Sequence, residues 1–305
     1  MTETTASAGK LKKTAGTQAT LENGVHAVFL LCGVLAIGFV LCISVYLIIA
    51  GIPAIHKIGF IKFITGTKWM PTATTTEPSF GILPFILTSI YGTAGAMAIG
   101  IPVGLLTALF LTKAAPKRLS SVIRSAVELL SGIPSVVYGL VGMIVLVPLI
   151  AKLFRISSGA TLFAAILVLS IMVLPSIINV SATALDAVPQ EYESASLALG
   201  ATKTETYFRV SLPAAKSGIA ASIVLGIGRA IGEAMAIIMV SGNVANMPGL
   251  LKSVRFMTTA IVSEMSYAAV GSLQREALFS IGLILFLFIM MINAILNLMI
   301  KRKKV

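Results

Sequence analysis

Two residues of opposite charge, Arg229 and Glu233, stand one helical turn apart in a stretch that is otherwise almost entirely apolar. The stretch, residues 226–243, reads GIGRAIGEAMAIIMVSGN. Side chains four residues apart share one face of an α-helix, so this spacing predicts that the two charges can pair. The arginine also offers a fixed positive charge and a planar set of N–H donors, which can hold an oxyanion through two hydrogen bonds. The pattern therefore indicates anion binding.

The composition of the chain indicates the solvent around this pair. Of 305 residues, 57% are hydrophobic and 11% are charged, whereas soluble domains carry about a quarter charged residues. The natural solvent is therefore lipid, and we expect an all-α membrane protein. A net charge of +12 would suggest nucleic acid in a soluble protein. Here the basic residues lie between apolar runs, so they are interpreted as topology signals, and no nucleic-acid partner is expected.

Six apolar runs each approach the roughly 20 residues that a bilayer requires. The spans are predicted at about 27–52, 83–111, 122–150, 161–185, 217–241 and 277–300. Residues 1–26, rich in Thr, Ala, Gly and Lys, predict a flexible cytoplasmic tail; residues 27–300 form the transmembrane domain, and 301–305 a basic cytoplasmic tail. If both termini are cytoplasmic, the segments on the cytoplasmic side hold more Lys and Arg than the segments on the other side. This bias predicts a multi-pass protein of the cytoplasmic membrane with both termini on the cytoplasmic side.

Arg229 is predicted to lie deep in the fifth span, roughly 18 Å along a helix that crosses a core of about 30 Å. A charge there costs at least about 2.5–3.5 kcal/mol on insertion scales. Ionisable residues inside membranes usually mark a transport path, and the alternative is a buried ion pair that fixes helix packing. Ser135 and Tyr138, beside Pro134, are further candidates, because hydroxyl groups at a broken helix can donate hydrogen bonds to an oxyanion.

Small residues and prolines predict how the spans meet. Two G-x-x-x-G patterns, 100–104 and 228–232, predict close helix contacts, although glycine is also simply tolerated in many spans. Kinks or breaks are expected at the in-span prolines Pro102, Pro134, Pro148 and Pro175. Small residues and prolines inside several spans are typical of a transporter rather than of a protein that is only anchored in the membrane.

The segment 186–216, between the fourth and fifth spans, predicts a docking surface for a cytoplasmic subunit. It is expected to form two short helices that break at Gly200. Thr202 and Glu205 have the spacing of a capping box for the second helix, and Pro213 is expected to end that helix.

The same segment resembles the "EAA" coupling motif of ABC importer permeases. Gly200, nine residues, then Val-Ser-Leu212-Pro213 match the second part of that motif. At its front, Ser194, Ala195 and a further serine stand where the family has Glu-Ala-Ala, and Glu193 comes one residue early. Either Glu193 makes the contact of the missing glutamate, or no such contact is needed.

Two further stretches narrow the resemblance. SGIPSVVYGLVG, residues 131–142, and GRAIGEAMAIIMVSGN, residues 228–243, are similar to the permease subunits of phosphate ABC importers, and the second is closer to the C-type subunit than to the A-type. The resemblance covers about residues 80–300. It implies the type I importer permease fold, with six transmembrane helices and a cytoplasmic coupling-helix loop.

The resemblance also implies function and partners. The chain would carry inorganic phosphate by alternating access. From their own chemistry, Arg229, Glu233, Ser135 and Tyr138 are expected to lie along the path. Its partners would be a second related permease (PstA type), two ATP-binding subunits (PstB type), an extracytoplasmic phosphate-binding protein (PstS type) and membrane lipid.

Other function classes have less support in the residues. The chain has no G-x-x-x-x-G-K-[ST] phosphate loop, so any ATP hydrolysis is assigned to another chain. We expect no metal, no cofactor and no covalent chemistry, because no nucleophile–base or metal-ligand constellation stands out, which argues against a membrane enzyme. A permease for another oxyanion or small solute is the alternative, and the coupling segment argues against a passive channel.

Overall fold

The computed structural model describes residues 3–72 and 77–302, and over these residues the chain is mainly helical. The α-helices are α1 Glu3–Ile58, α2 Phe60–Thr65, α3 Leu83–Leu109, α4 Lys117–Gly132, α5 Ser135–Val141, α6 Val147–Phe154, α7 Leu162–Asp186, α8 Gln190–Ala198, α9 Lys203–Thr206, α10 Leu212–Ala214, α11 Lys216–Gly232, α12 Met235–Val240, α13 Met257–Glu264 and α14 Leu273–Arg302. Three π-helical segments are Phe110–Ala114, Gly142–Leu146 and Tyr207–Ser211. An antiparallel pair of short strands, β1 Trp69–Met70 and β2 Ser79–Phe80, completes the described elements.

The chain divides into two compact units, Met1–Ala50 and Gly51–Val305. In the first unit, large apolar side chains of α1 are exposed; Phe29 is 71% and Ile49 67% accessible, as suits a helix in lipid. Helix α1 begins at Glu3 and so includes the segment predicted as a flexible tail. The basic tail predicted at 301–305 extends beyond the described residues. The division of the chain into tails and a membrane domain stays a prediction.

The number of helices that could cross a membrane agrees with the six spans predicted from the sequence. Within the described residues, 5 helical segments are long and apolar enough to cross a bilayer, and a sixth is added if α9–α10 and α11, which meet at an angle of 72°, count as one span. The five segments are Gly24–Ile58, Leu83–Ala114, Ser135–Phe154, Leu162–Asp186 and Leu273–Ile295. The predicted fold class, an all-α multi-span membrane protein, is confirmed.

The prediction that the third span begins at residue 122 is wrong, because the helix that could cross the membrane here begins at Ser135. Helix α4 ends at Gly132, Ile133 and Pro134 are extended, and α5 starts anew at Ser135. The cause is Pro134, which has no N–H to donate and disfavours helical geometry at the residue before it. Helix α4 is amphipathic rather than apolar; it buries Val127 and exposes many of its charged and serine side chains.

Helix α7 is the most buried of the candidate spans and lies between α3 and α11. The predicted close approach at 100–104 is confirmed. A Cβ atom added to Gly100 would lie 2.7 Å from Val173 Cγ2, and one added to Gly104 would lie 2.7 Å from Ile177 Cγ2. Only a glycine leaves room for α7 at these two positions, so the first G-x-x-x-G sets the distance between α3 and α7.

The second G-x-x-x-G, 228–232, does not mark a helix contact within the described part of this chain. A Cβ atom added to Gly228 or to Gly232 would meet nothing within 4 Å. The reason is positional, because Gly232 is the last residue of α11 and both glycines face open space rather than a neighbouring helix.

The segments that connect the first to the second and the fifth to the sixth predicted span, which are expected to lie outside the membrane, form one folded region, named the outer cap. Trp69 packs edge-on against Phe80 and Phe85, with ring centroids 5.8 and 5.6 Å away. Its Nε1–H donates to both carboxylate oxygens of Glu264 at 3.0 Å, and Glu264 also forms an ion pair with Arg255. This shared carboxylate joins the strand pair to α13, so the two long outer segments are parts of one structure.

Candidate functional site

The fifth predicted span, 217–241, is interrupted at Glu233. Helix α11 ends at Gly232, Glu233 is extended with φ −74° and ψ 131°, and the short helix α12 begins at Met235. The prediction that Arg229 and Glu233 share a helical face and pair is therefore wrong, because the helix that would align them stops between them. Among the described residues, the ion pairs join other side chains.

Glu233 instead stabilises the break in the helix. Its Oε1 atom accepts a hydrogen bond of 3.1 Å from the backbone N–H of Ala236, a donor without an intrahelical partner at the start of α12. Its carbonyl oxygen accepts a bond of 2.8 Å from Thr258 Oγ1 on α13. Glu233 is thus fixed by its side chain to the next helix and by its backbone to the outer cap.

Arg229 lies one turn before this break and points towards α7. Its Nη1–H donates to Ser176 Oγ at 3.2 Å. A guanidinium group carries five N–H donors, and Ser176 is its hydrogen-bond acceptor among the described residues, so most of its capacity is left for a further acceptor. The side chain is half-buried. Arg229 is therefore anchored by a neutral hydroxyl, and its positive charge has no carboxylate partner in the part of the chain described.

The other two predicted path residues lie at the α4–α5 break. Ser135 is the first residue of α5, and Tyr138 follows one turn later. The Tyr138 hydroxyl donates to the carbonyl oxygen of Leu130 at 2.7 Å and so bridges the break that Pro134 creates. Tyr138 precedes Gly139, which lies against the Ala236 backbone of α12. Three of the four predicted path residues, Arg229, Glu233 and Tyr138, therefore lie in one region.

Two glycines bring the two breaks together. A Cβ atom added to Gly139 would lie 2.8 Å from Ala236 Cα, and one added to Gly142 would lie 2.8 Å from Val240 Cγ1. Helices α5 and α12, which each follow a break, therefore pack with their backbones in close contact. Interrupted helices at membrane depth are tolerated where they line a cavity or are buried in protein, so this junction is suited to a path for a polar solute.

The arrangement at the junction can bind and release an anion. Arg229 supplies fixed positive charge and spare N–H donors in a setting of low polarity, where electrostatic attraction is strong. Glu233, on the next backbone segment, places a carboxylate near the same junction. The acceptor Ser176 and the backbone tie through Thr258 were not expected from the sequence. In the sequence, the position of Ser176 directly after Pro175, a proline inside a span, could have indicated a functional role. The residues around Thr258 do not indicate its contact with Glu233.

Segment 186–216 folds as predicted around Gly200. Helix α8 is followed by Gly200 with φ +87°, a left-handed conformation that glycine adopts without strain. The backbone N–H of Ala201 then donates to the Ser196 carbonyl at 3.2 Å and closes the turn. The capping box is confirmed, because the Glu205 N–H donates to Thr202 Oγ1 and the Thr202 N–H donates to Glu205 Oε2.

Pro213 does not end the second helix. The helix continues through Tyr207–Ser211 and α10, and the direction changes at Ala215. Proline is tolerated here because it follows a π-helical turn, in which the Leu212 N–H donates to the Tyr207 carbonyl five residues back, rather than standing inside a regular α-helix. Leu212 packs against the apolar cluster that joins neighbouring ends of α3, α7 and α11, whereas Pro213 is exposed. Leu212 therefore anchors the segment.

The predicted coupling residues have different surroundings. Ser194 and Ala195 are exposed on α8, and so are the large side chains of Tyr192 and Leu199, which are 55% and 90% accessible. Glu193 faces the other way and forms an ion pair with Lys113, with Nζ and Oε1 2.6 Å apart. The exposed apolar residues form a surface on which a further protein can dock.

Comparison with known proteins agrees with these features. The family model described as "Binding-protein-dependent transport system inner membrane component" matches residues 100–305. A probable ABC transporter permease protein, YqgH of Bacillus subtilis, is 38% identical over 269 residues, which cover 86% of each chain. The phosphate transport system permease protein PstC of Haemophilus influenzae is 34% identical, over 85% of this chain and 87% of the relative.

Solved structures show the same fold at lower identity. The MetNI methionine ABC transporter, in inward-facing conformations, aligns over 73% of this chain and 94% of its own with a TM-score of 0.54 and 19% identity. A bacterial ABC transporter involved in import of the polysaccharide alginate aligns over 72% of this chain and 79% of its own, with a TM-score of 0.56 and 15% identity. These likenesses establish the type I importer permease fold. The chain therefore belongs to the family of binding-protein-dependent transport system inner membrane components, the permease subunits of ABC transporters.

Proposed function

We propose that this chain is the permease subunit of an ATP-driven importer and carries inorganic phosphate across the cytoplasmic membrane by alternating access. The observation that carries the proposal is the position of Arg229, which is half-buried beside two helix breaks and has a hydroxyl, not a carboxylate, as its partner. The relatives named as phosphate transport permeases, at 34% identity over most of the chain, support phosphate as the solute.

In this proposal the path residues have distinct roles. Arg229 binds the phosphate oxyanion through N–H donors that Ser176 leaves unused. Tyr138 donates a further hydrogen bond when its hydroxyl is released from the Leu130 carbonyl, and Ser135 offers another hydroxyl at the start of α5. Glu233 keeps the local potential from becoming too positive, so the anion can leave when the path opens to the other side.

The remaining subunits of the importer hydrolyse ATP, line the other side of the path and deliver phosphate. We assign ATP hydrolysis to two separate ATP-binding subunits of the PstB type, which dock on the exposed face of α8 around Ser194 and Ala195. Leu212 holds that docking segment against the membrane helices, Gly200 forms the turn between its two helices, and Pro213 lies just before the chain turns into α11. A second permease of the PstA type lines the other side of the path, and an extracytoplasmic binding protein of the PstS type delivers phosphate. Both termini of the chain lie on the cytoplasmic side.

The experiment that tests the proposal is uptake of labelled phosphate by cells that carry the whole complex, with and without excess sulfate. Wild type is compared with Arg229→Gln at matched abundance in the membrane. Phosphate uptake that resists sulfate and is lost in the variant supports both the solute and the role of Arg229. Uptake that is abolished by sulfate, or absent from an assembled wild-type complex, identifies a permease for another oxyanion or small solute. Full uptake in the variant would reduce Arg229 to a packing residue.

A further inference from the structure

An ion pair ties the cytoplasmic helix α8 to a membrane helix that is distant in sequence. Lys113 Nζ lies 2.6 Å from Glu193 Oε1, and the two side chains are only 11% and 18% accessible. Lys113 belongs to the π-helical segment that continues α3. A pair so shielded from water is little weakened by salt, and a charge-assisted hydrogen bond is stronger than a neutral one. The contact is therefore a firm link rather than a passing surface interaction.

Two further hydrogen bonds hold the same pair in place. Ser211 Oγ donates to Glu193 Oε1 at 2.8 Å, and the Tyr207 hydroxyl donates to the backbone carbonyl of Lys113 at 2.9 Å. Tyr207 and Ser211 are the first and last residues of one π-helical segment. The end of α3, helix α8 and the chain leading into α11 thus meet at a single polar cluster formed by Lys113, Glu193, Tyr207 and Ser211.

Helix α8 has few other attachments to the rest of the chain. All of its residues are described, and none of them is buried. Besides Glu193, Ser196 makes a hydrogen bond of 2.9 Å with Thr206, which belongs to the neighbouring α9. The bond from Ser196 keeps α8 and α9 together, whereas the bond from Glu193 reaches α3. Since α3 packs along the buried helix α7, the ion pair of Glu193 connects α8 to the centre of the membrane domain.

We propose that the Lys113–Glu193 ion pair transmits displacement of α8 to α3, and that it thereby sets the amount of solute carried per ATP hydrolysed. The inference rests on the proposed function, because α8 is displaced only if an ATP-binding subunit docks on it. Glu193 and Lys113 are positioning residues in this scheme, since neither one touches the solute. The scheme also accounts for the shifted motif, because the glutamate at 193 acts within its own chain.

The test measures phosphate uptake and ATP hydrolysis in the same proteoliposomes, which contain the complete complex and are supplied with its binding protein. The variants are Lys113→Met, Glu193→Gln and the charge exchange Lys113→Glu with Glu193→Lys. Asp186→Asn is the matched control, because Asp186 forms a cytoplasmic ion pair with Arg124 at 3.1 Å that is 41% and 49% accessible and does not involve α8. Ser211→Ala is added because it weakens the cluster without leaving a buried charge unpaired.

We expect each single variant to lower phosphate carried per ATP at least about fivefold, and the charge exchange to restore at least half of the wild-type ratio. Ser211→Ala should lower the ratio by a smaller factor, and Asp186→Asn should leave it unchanged. A ratio within twofold of wild type in both single variants would overturn the inference, as would a loss that the exchange does not repair. If the single variants do not assemble, an unchanged ratio in Ser211→Ala overturns it. Absence of phosphate uptake in the wild-type complex would instead refute the proposed function.

Discussion

The carboxylate of Glu233 lies 3.1 Å from the backbone nitrogen of Ala236 and caps α12. Glu233→Gln should keep this cap, because an amide oxygen also accepts the hydrogen bond, while it removes the negative charge beside the path. We expect the variant complex to assemble normally and to bind phosphate more tightly but release it more slowly. Uptake assays should therefore show a lower KM and a lower maximal rate.

Glu233→Ala is the matched comparison, since it removes charge and cap together. Loss of a helix cap costs about 0.5–2 kcal/mol, so this variant should also have a lower Tm than Glu233→Gln in a thermal unfolding assay. Equal KM values in wild type and Glu233→Gln would contradict a role for the charge in transport.

Arg229→Lys should keep the charge at the junction but lose the planar set of donors, so we expect phosphate uptake to fall sharply, though less than in Arg229→Gln. Ser176→Ala removes the hydroxyl that orients the guanidinium. A hydrogen bond of this kind contributes about 1 kcal/mol, which corresponds to a roughly fivefold increase in KM for phosphate. Initial rates over a range of phosphate concentrations measure both effects. An unchanged KM in Ser176→Ala would show that Arg229 is oriented by other contacts.

Gly104→Ala should destabilise the membrane domain. The added methyl group would lie 2.7 Å from Ile177 Cγ2, and overpacking of this kind costs about 1–3 kcal/mol. Gly228→Ala is the matched control, because its methyl group would meet nothing within 4 Å in this chain. Thermal unfolding of the purified complexes should separate the two variants by several degrees. Equal loss at both positions would mean that Gly228 is packed against another subunit.

The outer cap can be followed through its own fluorophore, because Trp69 is the single tryptophan in the chain. Glu264→Gln leaves the Arg255 charge without its partner, and we expect a loss of about 2–4 kcal/mol, less than for a wholly buried pair. Trp69 emission should shift to longer wavelength as the cap loosens. Gln274→Ala removes a single neutral donor to the same carboxylate and should have a smaller effect. An unshifted spectrum in Glu264→Gln would show that the cap does not depend on this ion pair.

Thr202→Ala should loosen the start of α9, since it removes the acceptor for the Glu205 N–H. The expected cost is about 1 kcal/mol of local stability, seen as roughly fivefold faster hydrogen exchange at the backbone amides of α9. Thr204→Ala is the control, because Thr204 is exposed and is not the N-cap of this helix. The same exchange rates in both variants would contradict the capping role.

Patterns that depend on neighbouring residues were predictable from the sequence. The apolar runs, the break at Gly200 and the Thr202–Glu205 capping box all follow from local backbone and solvation preferences, and each is present in the structure. For both G-x-x-x-G patterns, the sequence predicted only that the two glycines lie on one face of a helix, which is true of each. The family resemblance was visible in the same local motifs and is confirmed by the comparisons.

Contacts between distant segments were decided only by the tertiary structure. Arg229 and Glu233 looked like a pair because a helix was assumed to continue between them, and the backbone leaves the helix at Glu233. Which of the two G-x-x-x-G patterns packs against another helix depends on where α7 lies. The partner of Glu193 was equally hidden, because Lys113 is close only after α3 and α8 have folded together. Spacing in the sequence predicts which side chains share a face only where the helix continues between them. Where a helix ends, and which distant segment it then meets, is decided by packing between elements that are far apart in the sequence.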